Sequence, residues 1–179
     1  MKNFLWSLQM AALFVVLTTG LANAQFPVRP TEYVAGCSGG YVNPPAAYDD
    51  NTSTYSYASV LQQIKGSITA CETWYGFPSR SGTNMILNVT SAAQITGTPG
   101  KSGGEVWLEY SLDGGNSFTP MYTLVNSGQI LEETSSVSLP SNQDLAKIQV
   151  YARCWASVGY MGYPTWCIQQ VYEIWVSGS

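Results

Sequence analysis

Apolar side chains recur at every second position along this chain, and that period leaves little choice of fold. Val106, Leu108, Tyr110 and Leu112 alternate with Glu105, Trp107, Glu109 and Ser111, and Ile148 to Cys154 and Ile168 to Val176 repeat the pattern. Ile68 to Trp74 and Met85 to Val89 follow it less regularly. A period of two sends successive side chains to opposite faces of an extended backbone, so these segments read as half-buried strands. Between them stand turn formers such as Gly76-Phe77-Pro78, Gly97-Thr98-Pro99-Gly100, Asp113-Gly114-Gly115 and Leu139-Pro140-Ser141-Asn142, at intervals suited to antiparallel pairing. The expectation is an all-β, antiparallel β-sandwich. Only Ser56 to Lys65, where Val60, Leu61 and Ile64 are suitably spaced, is also compatible with a short helix.

The first residues read as an address. Lys2 gives a positive start, Phe4 to Leu21 is mostly apolar, and Ala22-Asn23-Ala24 supplies the small residues a signal peptidase reads. Cleavage is expected after Ala24, leaving residues 25–179 as a single sandwich domain that is secreted to an extracellular or periplasmic space. The absence of a basic flank after the apolar run argues against a stop-transfer segment, and no membrane attachment is expected once the leader is removed. With a net charge of −4 and no basic cluster, neither nucleic acid nor an anionic lipid surface is an expected partner.

Four cysteines, Cys37, Cys71, Cys154 and Cys167, all follow the leader, and an even number in an exported chain points to disulfides. Four allow three connectivities. Cys154 and Cys167 flank a short connection between two late strands, so joining them across a hairpin is geometrically cheap and leaves Cys37 for Cys71. Parity opposes this unless a β-bulge near Gln169-Gln170 shifts the alternation.

The stretch Ala47-Tyr48-Asp49-Asp50-Asn51-Thr52-Ser53-Thr54-Tyr55 packs oxygen donors into one loop of a chain in which only 10% of residues are charged. Oxygen-only donors suit calcium better than zinc or copper, although the same residue types also form Asx and ST turns that cap their own backbone. The loop Ala47-x-Asp49-x-Asn51-x-x-Thr54, the strand Val106 to Ser111 running into Asp113-Gly114-Gly115, and the closing strand Val171-Tyr172-Glu173-Ile174-Trp175-Val176-x-Gly178 together resemble the discoidin-type, galactose-binding-like jelly rolls. These include many carbohydrate-binding modules and the coagulation-factor C-type domains. The resemblance implies a jelly-roll sandwich with a structural calcium held by Asp49, Thr54 and Glu173, with Asn51 close by. One departure is Asp50, which stands where glycine is usual.

Catalysis finds little support. The chain has no histidine, which removes the ordinary serine and cysteine nucleophile arrangements. Glu105 and Glu109 share a strand face but lie about 13 Å apart at ~3.3 Å per residue, beyond the separation glycosidases use. Only a pair assembled across strands, such as Glu72 with Glu109, keeps a glycan-acting hydrolase in play. Ser111-Leu112-Asp113-Gly114-Gly115-Asn116-Ser117-Phe118 fits the Asp-box pattern, a turn device. The connection from Trp155 to Trp166 is richer: Trp155, Tyr160, Tyr163 and Trp166 offer flat faces for sugar rings, whereas Trp74, Trp107 and Trp175 sit on strands as packing residues. The expected function is therefore non-catalytic recognition of carbohydrate or another extracellular surface ligand. The competing reading is a structural or adhesive protein.

Overall fold

The alternation of Val106 and Leu108 with Glu105, Trp107 and Glu109 becomes a strand with one dry face. Val106 and Leu108 are fully buried, and the polar and aromatic positions between them are only half-buried. The computed structural model describes residues 26–37, 39–80, 82–97, 102–125, 128, 130–158 and 164–179. The expected leader and two predicted ligand residues, Tyr160 and Tyr163, lie outside the described residues.

Among the described residues nine strands run in chain order: β1 (Glu32–Ala35), β2 (Ser56–Gln62), β3 (Gly66–Tyr75), β4 (Ile86–Thr96), β5 (Ser102–Ser111), β6 (Thr119–Val125), β7 (Ile130–Ser138), β8 (Gln149–Val158) and β9 (Thr165–Ser177). They form a five-stranded sheet ordered β1-β3-β8-β5-β6 and a four-stranded sheet ordered β2-β9-β4-β7. All strand pairings are antiparallel. Setting β1 aside, β2 pairs with β9, β3 with β8, β4 with β7 and β5 with β6. The chain is thus one long hairpin of nested pairs rolled over itself, which is the jelly-roll topology.

Inward-facing residues from both sheets fill the space between them. Val150, Ala152, Cys154, Val106, Leu108 and Trp74 come from one sheet, and Leu87, Val89, Ile95, Val171, Ile174 and Val176 from the other. Trp74, read as packing, is fully buried and donates its indole N–H to the Pro44 carbonyl at 3.0 Å. That bond satisfies its one polar atom in the dry layer.

Three local readings change. The possible helix over Ser56 to Lys65 is instead β2, where Ser56, Ala58 and Val60 are buried and Ser59 and Leu61 exposed. Pairing along β9 outweighs the weak helical spacing of Val60, Leu61 and Ile64. The bulge exists, but nearer the chain end than Gln169-Gln170: Thr90 faces Glu173 while Ser91 faces Val171, so Tyr172 is the extra residue. It lets Cys167 and Val171 on one side, and Ile174 and Val176 on the other, all point inward. Finally, the cysteines pair as expected, Cys37 with Cys71 and Cys154 with Cys167, but β8 and β9 belong to different sheets. The Cys154–Cys167 bond, with Cα atoms 6.1 Å apart, therefore crosses the sandwich rather than a hairpin.

One row of the core is polar. Gln169, fully buried on β9, donates to the Tyr122 hydroxyl at 2.9 Å and the Trp107 carbonyl at 3.3 Å, and accepts from the Tyr41 hydroxyl. Ser91 donates to the same Tyr122 oxygen at 3.2 Å. Beside this row Glu72, 1% exposed, accepts the Tyr41 N–H at 3.0 Å through Oε2, while its Oε1 has no partner.

Candidate functional site

The oxygen-rich loop and the closing strand do come together, but through a residue that carried no signal in the sequence. A short segment ahead of β1 lies along β9, held by Val28 N–H to Val176 O at 2.8 Å and Val176 N–H to Val28 O at 2.7 Å. This places Arg29 beside Glu173. The Arg29 Nε donates to Glu173 Oε1 at 2.5 Å, and a terminal nitrogen of the same guanidinium pairs with Asp50. Glu173, expected to be a calcium ligand, has a side chain only 6% exposed, while that of Asp50 is 77% exposed.

The remaining loop donors turn toward one another. Asp49 accepts the Asn51 N–H at 3.0 Å and the Thr54 hydroxyl at 2.7 Å, and Asn51 accepts the Ser53 N–H at 3.0 Å. These are the Asx and ST turns that such residues form on their own. Asp50, at the position where glycine is usual, adopts φ 63°, a left-handed conformation that Asp tolerates better than most residues. Among the described residues no group of three or more His, Cys, Asp or Glu side chains could enclose a metal. The expected set of Asp49, Asn51, Thr54 and Glu173 therefore does not fit a shared calcium ion as it stands, because Glu173 is occupied by a cationic side chain.

The aromatic residues around the second connection separate. Trp155 lies on the outer face of the five-stranded sheet, between inward-facing Cys154 and Ala156. Trp166 lies on the outer face of the four-stranded sheet, 45% exposed, with its indole N–H donated to Ser59 at 2.8 Å. The two predicted ligand residues thus face away from each other across the sandwich.

Around Trp155 the outer face has a regular composition. Directly opposed pairs on β8 and β5 are Trp155 with Glu105, Arg153 with Trp107, and Tyr151 with Glu109. Each pair sets an aromatic ring against a charged group, and the order reverses from one pair to the next. The Arg153 guanidinium carbon lies 3.8 Å from the centroid of the Trp107 ring, a cation–π contact. Phe118 leans on Tyr151 with ring centroids 5.7 Å apart. Burial pushes the Tyr151 hydroxyl up in pKa, with Arg153 opposing and Glu109 reinforcing that shift. Trp107, read as packing, belongs to this outward face, as the phase it shares with Glu105 and Glu109 indicates.

The Glu72–Glu109 pair is not arranged for hydrolysis. Glu72 opposes Ala152 on the inner face of the sheet, while Glu109 opposes Tyr151 on the outer face. The Asp-box stretch is a turn. Ser111 Oγ accepts the Gly115 N–H at 2.9 Å, and Asp113 accepts the Ser117 N–H at 3.0 Å and the Ser117 hydroxyl at 2.6 Å. Bonds from Ser117 and Ser111 hold the Asp113 carboxyl at a pKa of about 2.

The fold and this outer face define a jelly-roll sandwich with an aromatic and charged sheet surface. No family model and no curated relative matches the chain. Among solved structures it is similar to TmCBM61 in complex with β-1,4-galactotriose, with 8% identity, a TM-score of 0.44, and coverage of 84% of this chain and 91% of that one. It is also similar to the CBM32 of AlyQ in complex with 4,5-unsaturated mannuronic acid, with 14% identity, a TM-score of 0.36, and coverage of 87% and 100%. A third is the family 32 module of C. perfringens NanJ in complex with galactose, with 17% identity, a TM-score of 0.35, and coverage of 84% and 97%. These neighbours are carbohydrate-binding modules of the galactose-binding-like jelly-roll type. At such identities and TM-scores, no residue of this chain takes a role from them.

Proposed function

We propose that this protein is a secreted, non-catalytic module that binds a neutral oligosaccharide across the outer face of its five-stranded sheet. The observation that supports this reading is the alternation of rings and charges in the three pairs Trp155–Glu105, Arg153–Trp107 and Tyr151–Glu109. Rings cover the apolar faces of pyranoses, while carboxylates and a guanidinium bond the hydroxyls at their rims. Trp155 and Tyr151 lie four residues apart on β8, about 13 Å at ~3.3 Å per residue, a span that suits several linked sugars rather than one. Glu105 and Glu109 disfavour an acidic glycan by like-charge repulsion. Two disulfides accord with an oxidising compartment, and the leader read at residues 1–24 accords with export.

The test is a screen of neutral and acidic oligosaccharides, followed by titration calorimetry on Trp155→Ala and Tyr151→Ala, with Trp166→Ala as the contrast on the opposite face. Removing a central ring from a binding face costs about 2 kcal/mol, so a roughly thirtyfold weaker Kd is expected for either of the first two, and an unchanged Kd for the third. Weakening by Trp166→Ala alone would move the site to the four-stranded sheet. A folded protein that binds no glycan in the screen would favour the structural or adhesive reading.

A further inference from the structure

We propose that Arg29 is itself the cation that closes this end of the sandwich, so that the domain holds its loop and its last strand together without a divalent ion. Three segments far apart in sequence meet here: the stretch around Val28, the loop carrying Asp50, and β9 at Glu173. Each of the latter two brings a carboxylate, and both carboxylates go to one guanidinium, Glu173 through Nε and Asp50 through a terminal nitrogen. The fork geometry of arginine allows this, since its donors point in fixed, divergent directions and its charge persists at any physiological pH. A divalent ion on the same carboxylates would face a guanidinium already in place and of like charge.

The burial of the parts sets their order of importance. Glu173 is almost wholly removed from water and Arg29 largely so, with side chains 6% and 21% exposed. A carboxylate in that position needs its partner, and removing one side of a buried pair leaves an uncompensated charge. The Asp50 arm is exposed and contributes little by itself. Its role is to bring the loop to Arg29, while the Glu173 arm carries most of the stabilisation. The Asp49, Asn51 and Thr54 donors complete their own turns, which leaves the loop ordered with no ion to gather it.

The test uses the full chain, measured by calorimetry with millimolar calcium and with excess chelator. The wild-type protein is expected to melt at the same temperature in both and to show no heat of calcium binding. Arg29→Gln should lower Tm on the order of 10 °C, Asp50→Asn by about 2 °C or less, and the double variant Arg29→Gln/Glu173→Gln should melt above Arg29→Gln alone because the stranded charge is gone. Should Arg29→Gln fail to fold, Glu173→Gln and the calcium measurements on wild type decide: Glu173→Gln should also melt lower and also ignore the chelator. A wild-type Tm that falls on chelation and returns with one bound calcium would overturn the proposal, and so would equal Tm values for Arg29→Gln and wild type.

Discussion

Glu72→Gln should stabilise this protein at alkaline pH and leave it nearly unchanged in mild acid. Glu72 sits on the inner face of β3, 1% exposed, with Oε2 bound to the Tyr41 N–H and Oε1 without a partner. Burial raises its pKa, and the Tyr41 N–H opposes that only in part. The folded chain therefore holds a proton on Glu72 at pH values where the unfolded chain has released it. Stability from this group is full below the unfolded glutamate value of about 4.3, falls as pH rises through the folded value, and stays low above it. In that upper range the wild type keeps a charged, half-satisfied carboxylate in a dry layer, at a cost of about 1–3 kcal/mol. Glutamine preserves an acceptor for Tyr41 and never ionises. For a domain of this size 1 kcal/mol corresponds to about 2–4 °C, so Glu72→Gln should melt roughly 2–12 °C above wild type at pH 8. The assay is Tm by calorimetry at unit intervals from pH 4 to pH 8 for both proteins, and the informative quantity is their difference, which cancels the other titrating groups. A difference that stays flat across that range, or that turns negative at pH 8, would refute the assignment of a buried, proton-holding Glu72.

Asp113 works in the opposite sense. Its carboxyl is held down to about 2 by Ser117 and Ser111, so its contribution is present above the unfolded value of about 3.9 and disappears as pH falls through about 2. The Asp113→Asn variant should therefore lose less Tm than wild type between pH 4 and pH 2 in a circular-dichroism melt. Replacing both Cys154 and Cys167 by serine opens a loop with a sequence separation of 13, which by chain entropy costs about 3 kcal/mol and should lower Tm by about 6–12 °C. Peptide mapping of the unreduced protein should recover Cys37 with Cys71 in the same digest.

How far the residues could be read in advance depended on the kind of fact involved. Alternation over Glu105 to Leu112 declared both the strand and its inward set, because a two-residue period is a local property of the backbone. Alternation does not say which sheet a strand joins. Trp155 and Trp166 flank one connection in the sequence, yet they end on opposite outer faces because β8 and β9 belong to different sheets. The same topology turned an expected hairpin disulfide into one that spans the core. Arg29 had no signal at all: it precedes β1, lies 144 positions from Glu173, and is placed by two backbone bonds between Val28 and Val176. The direction of Trp107 was legible, since a tryptophan in phase with two glutamates faces the way they do, while its packing partner, Arg153 on the neighbouring strand, was not. Asp50 was noticed as a substitute for glycine, and its left-handed φ explains the position, while its bond to Arg29 had to await the structure.

The nested pairing also sets a timetable for the molecule's birth. β2 emerges early but finds its neighbour only in β9, where Ser56 meets Val171; β3 likewise waits for β8, and β4 for β7 and β9, while only β1–β3 and β5–β6 can close early. A nascent or translocating polypeptide of this kind cannot finish its sheets piecemeal, and contacts of such long range make assembly slow. Until the final strand arrives, β2 presents sticky, unmatched amide rows to its surroundings, the condition in which chains aggregate. Holdase protection during synthesis or export would therefore matter more for this protein than for one built of local hairpins.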